Sequence, residues 1–418
     1  MSDANELTIA VDPAEAGLDK DRLKRIDAHF ARYVEDGRLA GWLLTIGRHG
    51  RLAHVARCGS RDLEAGLPVT DDTVWRVYSM TKPITSVAAM ILYEEGRLAL
   101  TDPVSAFVPA FADVRVYQGG SDLKQVTVPA TEPVRVWHLL THTAGLTYGF
   151  HRVHPVDALY RAGGFEWGTP PGADLAQVCD LYAGFPLLFQ PGAEWNYSVA
   201  TDVLGRVVEV ASGQSLDEFF ADRILRPLGM NDTAFGAAPE AHPRLAALYR
   251  PNSRNTVSRL DELGQAALRQ PRMLSGGGGL VSSAADYNRF TQMLLHTDAS
   301  PAGELDGTRL LGPRTVGYMG RNHLPGNQDL ETFGRPLYAE SPFRGVGFGL
   351  GFAVLLDPVP GKVIGTAGEL SWGGAASTTF WIDQAEGLTV SFFTQLLPSS
   401  TYPIRPQLRQ LVYQALTS

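Results

Sequence analysis

The sequence predicts an α+β fold in which an antiparallel sheet is flanked by helices from both chain ends and interrupted by a mainly helical insertion. Strand-like runs occur near the N-terminus and again in the last third of the chain. Amphipathic helix patterns lie near both ends of the chain. The middle of the chain is rich in Pro, Gly and helix-like segments. We therefore expect a discontinuous α/β sandwich domain of residues 1–97 and 236–418, and a mainly helical domain of residues 98–235.

The N-terminal elements follow from hydrophobic spacing. Asp19 suits a helix N-cap, and apolar residues recur at helical intervals over residues 23–33, which predicts an amphipathic first helix. The β-prone runs "WLLTIG" and "LAHVARCG" are separated by the turn residues "RHGR", as in an antiparallel hairpin. From Ser79 the pattern changes again to one apolar helical face, and Gly96 provides the stop signal for this second helix.

The last third returns to strand signals. The runs are "GFGLGFAVLL", "STTFWID" and "LTVSFFTQL", and the turn-like "QAEG" joins the second to the third. Apolar residues at helical spacing over residues 408–416 then predict a closing amphipathic helix. Strands from both ends of the chain are thus expected in one sheet.

Composition limits the classes of partner. The 418 residues are 44% hydrophobic and 19% charged, with a net charge of -8, so the chain has no basic excess for nucleic acid or for an anionic membrane. No apolar stretch approaches the roughly 20 residues of a membrane span, and the N-terminus lacks the basic and apolar regions of a signal peptide. The two cysteines, Cys58 and Cys179, form no disulfide or metal pattern. We expect a cytoplasmic protein without nucleic-acid or membrane partners.

The stretch "YSMTKPITSVAAM" places Ser79 three residues before Lys82, one of only five lysines, at the start of an apolar helix. Residues three apart on a helix are neighbours, so an amine would lie beside a hydroxyl. A serine hydroxyl is a weak nucleophile until a base removes its proton, and an amine is such a base only where burial or nearby cations lower its pKa. An N-capping serine beside a solvated lysine is the ordinary alternative, because S-x-x-K alone carries little information.

Five further stretches occur in a recognisable order after "SMTK": "VRVWHLLTHTAGLTY", "EWNYSVATDVLG", "LRPLGMNDT", "SGGGGLVSSAADYNRF" and "GPRTVGYMGRNHLP". In this order the chain resembles the serine β-lactamase and penicillin-binding-protein superfamily. Within it, the chain is most similar to the carboxylesterases called family VIII, relatives of class C β-lactamases. The similarity runs from about residue 20 to about residue 415. It implies a β-lactamase-like fold with the active site in the cleft between the two domains.

The resemblance also assigns catalytic roles. It makes Ser79 the nucleophile, and Lys82 and Tyr197 of "YSV" the acid/base pair. Either member of this pair is a candidate for the principal base, because their titrations would be coupled. The "WGG" stretch, residues 372–374, takes the place of the K-T-G strand motif. The backbone N–H groups of Ser79 and Ala375 would then form the oxyanion hole.

Two departures from the lactamase pattern point to esters. Trp372 stands where K-T-G has its lysine, and Val199 stands where the Y-x-N motif has its asparagine. These changes remove polar recognition of an anionic lactam and add apolar contact, which favours neutral esters. Gly373 and Gly374 would let substrate approach the backbone closely. We include Phe150 with these residues as a substrate contact.

The sequence therefore predicts a serine carboxylesterase that acts on short to medium acyl esters through an acyl-enzyme, without a cofactor. Weak β-lactam hydrolysis is an expected side activity, since the acylation machinery is shared. The alternatives are a β-lactamase or D-alanyl peptidase, an acyltransferase or amidase of the same superfamily, and a non-catalytic binding module. An α/β-hydrolase would need a G-x-S-x-G nucleophile elbow, and the sequence has none.

Other patterns carry less weight. His138 and His142 have the i, i+4 spacing of zinc ligands, but "HLLTH" lacks the glutamate of H-E-x-x-H, so we expect no metal site. The glycine run at residues 276–279 lacks the Gly-Lys-Ser/Thr of a phosphate loop and is interpreted as a loop that enters a strand. Four aromatic residues are candidates for the lining of an acyl pocket, although packing in the core is the favoured role for each: Phe150, Tyr160, Trp167 and Phe348.

Overall fold

An eight-stranded antiparallel sheet forms the centre of the fold in the computed structural model, which describes residues 7–335 and 343–417. The strands, in chain order, are β1 Gly41–Arg48, β2 Arg51–Asp62, β3 Leu67–Pro68, β4 Val74–Arg76, β5 Arg115–Gly120, β6 Gln125–Pro129, β7 Tyr249–Pro251, β8 Val257–Arg259, β9 Val281–Ser283, β10 Glu304–Leu305, β11 Thr308–Arg309, β12 Val346–Phe348, β13 Ala353–Leu355, β14 Leu370–Gly373, β15 Thr379–Asp383 and β16 Leu388–Phe393. The central sheet has the order β12-β13-β14-β15-β16-β1-β2-β3, so the C-terminal strands join the N-terminal hairpin, as predicted.

The α-helices of the described residues are α1 Lys20–Glu35, α2 Thr81–Glu94, α3 Val136–Leu140, α4 Pro155–Ala162, α5 Leu175–Ala183, α6 Ala200–Ser212, α7 Leu216–Phe220, α8 Asp261–Gly264, α9 Ala284–Leu294, α10 Pro313–Met319, α11 Leu330–Phe333, α12 Pro358–Gly361 and α13 Ile404–Tyr413. Short 3-10 turns link several of these elements, and α7 continues into a π-turn at Ala221–Leu225. Within residues 7–335 and 343–417, none of the helices has the length and apolar character that a membrane crossing requires.

The first and last helices pack together on one face of the sheet, as the sequence predicts. Helix α1 begins where the Asp19 carboxylate accepts hydrogen bonds from the N–H groups of Asp21 and Arg22. Its apolar stripe faces the sheet, where the rings of Phe30 and Phe392 lie 4.9 Å apart. This layer and the α+β class are confirmed.

Helix α2 occupies the interior on the opposite side of the sheet. It packs against α6 and α7, and every residue from 81 to 92 is buried. The sequence pattern predicts one apolar face, yet the small residues between the apolar positions also face protein, because α2 lies between the sheet and the helices of the middle segment. The start of α2 is therefore enclosed on all sides.

The middle segment differs in part from the prediction. It contains α3 to α7 but also the hairpin of β5 and β6, which has no clear alternation in the sequence. The run "GFGLGFAVLL" forms two strands, β12 and β13, since Gly351 turns the chain at φ +95°. The two-domain division stays a prediction, and its outer limits at residues 1 and 418 lie outside the described residues.

Candidate active site

Ser79 lies in a 3-10 turn, Tyr78–Met80, that runs directly into α2. The preceding Tyr78 has a positive φ of 43°, a conformation that L-residues adopt only where the surrounding structure holds them and that is common at active sites. Two contacts hold this turn: the Val77 N–H donates to the Leu280 carbonyl, and the Tyr287 hydroxyl donates to the Met80 carbonyl over 2.9 Å. Ser79 consequently lines a cavity of about 910 Å³.

The structure brings together the three side chains that the sequence analysis proposes as catalytic. The Tyr197 hydroxyl is 2.6 Å from Ser79 Oγ, and Lys82 Nζ is 3.2 Å from the same oxygen. Lys82 lies in the first turn of α2 and is only 1% exposed, whereas Ser79 and Tyr197 are partly open to the cavity. A nucleophile and two proton-transfer groups therefore share one hydrogen-bonded cluster.

Lys82 has two further partners that the sequence analysis did not identify. Its ammonium donates to the Tyr148 hydroxyl over 3.0 Å and to the Gly277 carbonyl over 2.7 Å, and it lies 4.6 Å from the centre of the Tyr197 ring. Tyr148 is the last residue of the quoted stretch "VRVWHLLTHTAGLTY", so its position in an ordered motif was the available signal. Three acceptors, Ser79 Oγ among them, match the three N–H donors of one ammonium group.

The two tyrosines beside Lys82 differ in their surroundings. Burial raises the pKa of Tyr148 well above its ordinary value, and the nearby oxygens of Tyr197 and Asp202 add to this effect. Tyr148 therefore stays a neutral phenol. The Lys82 ammonium lies over the face of the Tyr197 ring, and the Trp372 indole N–H is 3.4 Å from the Tyr197 oxygen. Of the two phenol hydroxyls, that of Tyr197 contacts Ser79 Oγ and that of Tyr148 contacts Lys82.

The "WGG" stretch ends strand β14 and forms one wall of the cavity. Trp372 packs on Tyr197 with ring centres 5.2 Å apart. The reason given above for the two glycines is wrong, because protein atoms fill the space where their side chains would be. A Cβ on Gly374 would lie 2.5 Å from the Val77 carbonyl oxygen, and one on Gly373 would meet the Arg405 guanidinium. The glycines thus let β14 approach the Ser79 turn and α13 closely.

Ser79 and Ala375, whose backbone N–H groups are the predicted oxyanion hole, both line the same cavity. Within residues 7–335 and 343–417, neither N–H group donates to a backbone or side-chain acceptor. Ala375 lies just beyond Gly374 at the end of β14, in a turn closed by the Ser377 N–H donating to the Gly374 carbonyl. Both N–H groups stay candidates for stabilising an anionic oxygen.

Comparison with known proteins identifies the family to which this cluster belongs. Residues 26–414 match the family model described as Beta-lactamase. The chain belongs to the beta-lactamase family. Esterase EstB of Burkholderia gladioli is 33% identical over 423 residues, which cover 97% of this chain and 98% of EstB. This match confirms the predicted resemblance to the esterases of the β-lactamase superfamily.

Two solved structures show the same β-lactamase-like fold over nearly the whole chain. EstCE1, described as a hydrolase with promiscuous acyltransferase activity, has a TM-score of 0.78 and 28% identity, and the match covers 94% of this chain and 98% of EstCE1. Simvastatin synthase (LovD) from Aspergillus terreus has a TM-score of 0.77 and 25% identity, with 95% and 97% covered.

The glycine run at residues 276–279 supports Lys82 in this family member. The Asp202 carboxylate, buried on α6, accepts hydrogen bonds from the Ser275 hydroxyl over 2.6 Å and from the Gly277 N–H over 3.0 Å. A Cβ on Gly277 would lie 2.9 Å from this carboxylate, so only glycine fits without displacement. Since the Gly277 carbonyl accepts from Lys82, Asp202 fixes one of the three acceptors of the ammonium.

We expect Asp202→Asn to lower kcat for ester hydrolysis by about tenfold to a hundredfold while KM changes little, because a charge-assisted hydrogen bond contributes about 1.5–3 kcal/mol. The buried carboxylate also provides the negative charge nearest to Lys82 on α6. Steady-state kinetics with a chromogenic ester would measure the effect. Asp180→Asn, which neutralises an exposed aspartate on the neighbouring helix α5, is the control and should retain full activity. Equal kcat in the two variants would refute the role of Asp202.

The remaining predicted contacts divide into two groups. Val199, Phe150 and Trp167 line the cavity. Tyr160 and Phe348 are each 1% exposed and belong to the hydrophobic core; Tyr160 stacks on Tyr182, and Phe348 packs behind Trp372. Tyr160 and Phe348 therefore have the core role that the sequence analysis favours over the acyl pocket, because both rings are enclosed by other side chains.

The two spaced histidines have structural partners. His138 Nδ1 accepts a hydrogen bond from the Arg135 N–H, and burial lowers the pKa of His138 to about 4. His142 Nδ1 is 3.2 Å from Ser198 Oγ, and burial lowers its pKa well below the ordinary value. Among the described residues, no group of three or more His, Cys, Asp or Glu side chains is placed to hold a metal ion.

Proposed function

We propose that this protein is a serine carboxylesterase that hydrolyses short to medium acyl esters through an acyl-enzyme on Ser79. The observation that carries the proposal is the position of Ser79 Oγ, which is within hydrogen-bond reach of both Tyr197 and Lys82 and open to a large cavity. The family and the esterase EstB, which aligns over almost its whole length, support the same reaction class.

In the acylation step, the Tyr197 and Lys82 pair accepts the Ser79 hydroxyl proton as Oγ attacks the ester carbonyl carbon. The negative charge that forms on the carbonyl oxygen is stabilised by the N–H groups of Ser79 and Ala375. The bond between this carbon and the alcohol oxygen then breaks, and the pair returns the proton to the departing alcohol. Strain at Tyr78 helps to keep the Ser79 N–H directed at the developing charge.

Deacylation repeats these steps with water in place of the alcohol. Water loses a proton to the same pair, attacks the acyl carbon, and displaces Ser79 Oγ, which recovers the proton. All atoms needed for the reaction come from ester, water and side chains, so the proposal includes no cofactor. If the proton moves through Tyr197, the Lys82 ammonium over the tyrosine ring stabilises the negative charge that develops there.

Substrate preference follows from the cavity wall. Trp372 and Val199 place an indole and an isopropyl group on the wall, and neither offers a charge to a substrate carboxylate. An anionic lactam that binds against these apolar groups loses favourable hydration of its carboxylate. A neutral ester has no such charge to desolvate and therefore binds at a lower cost in free energy. We therefore place β-lactam hydrolysis below ester hydrolysis in rate.

Initial rates on p-nitrophenyl butyrate and on a chromogenic cephalosporin test this proposal. We expect kcat/KM for the ester to exceed that for the cephalosporin by at least about a hundredfold. Faster turnover of the cephalosporin would indicate a β-lactamase. Failure to hydrolyse either compound, together with failure of a fluorophosphonate probe to label Ser79, would indicate a non-catalytic binding protein.

Acyl transfer to an alcohol is the second candidate, and the size of the cavity favours it. About 910 Å³ greatly exceeds the volume of a short acyl group, so an alcohol can bind beside the acyl-enzyme and compete with water. EstCE1, which is similar in structure over nearly the whole chain, is described as a hydrolase with promiscuous acyltransferase activity. Adding a competing alcohol and measuring the new ester by chromatography separates the two reactions.

A further inference from the structure

A row of aromatic rings leads from the mouth of the cavity to the nucleophile. The Trp167 and Phe150 rings stack 4.8 Å apart at 12°, and the Phe150 and Tyr148 rings stack 4.6 Å apart at 19°. Tyr148 then meets Tyr197 at 5.2 Å and 57°. We name these four residues the aromatic ladder. Its inner end is the tyrosine whose hydroxyl lies 2.6 Å from Ser79 Oγ.

The aromatic ladder differs from the aromatic packing of the core. Phe220 and Phe235 also stack, at 5.5 Å and 23°, but both are enclosed by protein. All four ladder residues line the open cavity, and Trp167 is 51% exposed at its mouth. Val153, which lines the same cavity, is 63% exposed. Large apolar groups exposed together at a cavity mouth mark a binding surface.

The geometry of the ladder indicates the shape of its ligand. Aromatic rings prefer offset parallel stacking at 4.5–7 Å, and the two outer pairs already have this arrangement, so their ring planes are nearly parallel. Phe150 covers one face of Trp167, and a flat ring system can continue the stack on the exposed indole with full contact, whereas a saturated, puckered ring touches it at fewer atoms. Covering the exposed part of Trp167 also removes apolar surface from water.

We propose that the aromatic ladder binds a planar, apolar ring system of the substrate, so that the preferred esters carry an aryl or fused-ring group in their acyl or alcohol part. The placement of that group relative to the reacting carbonyl rests on the proposed esterase function. The binding itself depends only on the exposed rings and the cavity. Trp167 is the specificity-determining residue, because it is the ladder member furthest from Ser79 and most open to a ligand.

Paired flat and saturated esters test the inference. The flat esters are 2-naphthyl acetate and methyl 2-naphthylacetate, and the saturated ones are their decalin counterparts. For each pair, the measured quantity is kcat/KM of the flat ester divided by kcat/KM of the saturated ester. In at least one pair, this ratio should be about threefold to tenfold lower in Trp167→Leu than in the wild type, since a stacking contact contributes up to about tenfold in affinity. Trp167→Phe should restore most of the ratio. Tyr93→Leu, which removes an exposed ring on α2 outside the cavity, is the control.

Binding of 2-naphthol, measured by isothermal titration calorimetry, separates this inference from the esterase proposal because no turnover is needed. Weaker binding of 2-naphthol to Trp167→Leu, with unchanged binding to Tyr93→Leu, supports the ladder even if no ester is hydrolysed. Ester turnover with equal flat-to-saturated ratios in the wild type and Trp167→Leu, and equal 2-naphthol affinity, would overturn the inference while the esterase proposal stands.

Discussion

Replacing Ser79 by alanine is expected to lower kcat for p-nitrophenyl butyrate by at least about 10⁴-fold, because removal of a catalytic nucleophile eliminates the covalent route entirely. The cavity and the other groups remain, so only the small residual catalysis from binding and the two N–H donors should survive. Stopped-flow measurement would also show loss of the burst that marks acyl-enzyme accumulation. Mass spectrometry of the wild type after reaction with a slow ester should find the acyl group on Ser79.

Ser86→Ala is a suitable control for this substitution. Ser86 lies on α2, the helix that directly follows the Ser79 turn, and is buried, but it faces Gly351 rather than the cavity. The two variants remove the same atom from one segment of chain, so a general effect on folding should appear in both. Retention of wild-type kcat in Ser79→Ala would refute Ser79 as the nucleophile, whatever the control shows.

The elements that sequence reasoning predicted well are those whose signals are local. The Asp19 cap and the stripe of α1 lie within one helix, and their pattern repeats every turn. Ser79 and Lys82 lie within one helical turn of each other, so their proximity follows from helix geometry alone. Tyr197 is 118 residues from Ser79 in the chain, and its contact was predicted only through the ordered motifs of a family resemblance.

Contacts that depend on tertiary packing were not predictable in this way. Asp202 lies in "EWNYSVATDVLG" and the glycine run in "SGGGGLVSSAADYNRF", but the order of these stretches does not state that the two are in contact. The two glycines of "WGG" were interpreted as space for substrate, but Arg405 of α13 and the Val77 carbonyl occupy that space. Two consecutive glycines in a sequence indicate that another group approaches the backbone closely. Only the fold shows whether that group belongs to a ligand or to the protein itself.

Tyr197→Phe is expected to lower kcat by about 10²–10⁴-fold, which is the usual contribution of a general acid/base, with a much smaller change in KM. The hydroxyl is the group closest to Ser79 Oγ, and Phe keeps the ring that packs on Trp372. Tyr148→Phe is the matched control, since it removes a hydroxyl from the same cluster. We expect Tyr148→Phe to lower kcat only about tenfold, which is the contribution of one hydrogen bond to a charged group.

The comparison of these two variants also addresses which group is the principal base. The Lys82 ammonium has three acceptors for its three N–H groups, an arrangement that suits a cation held in place rather than a base about to accept a proton. If Tyr197 is the base, Tyr197→Phe should be at least tenfold slower than Tyr148→Phe. Similar, modest losses in both variants would instead assign the proton transfer to Lys82, because each tyrosine would then contribute only a hydrogen bond to the cluster.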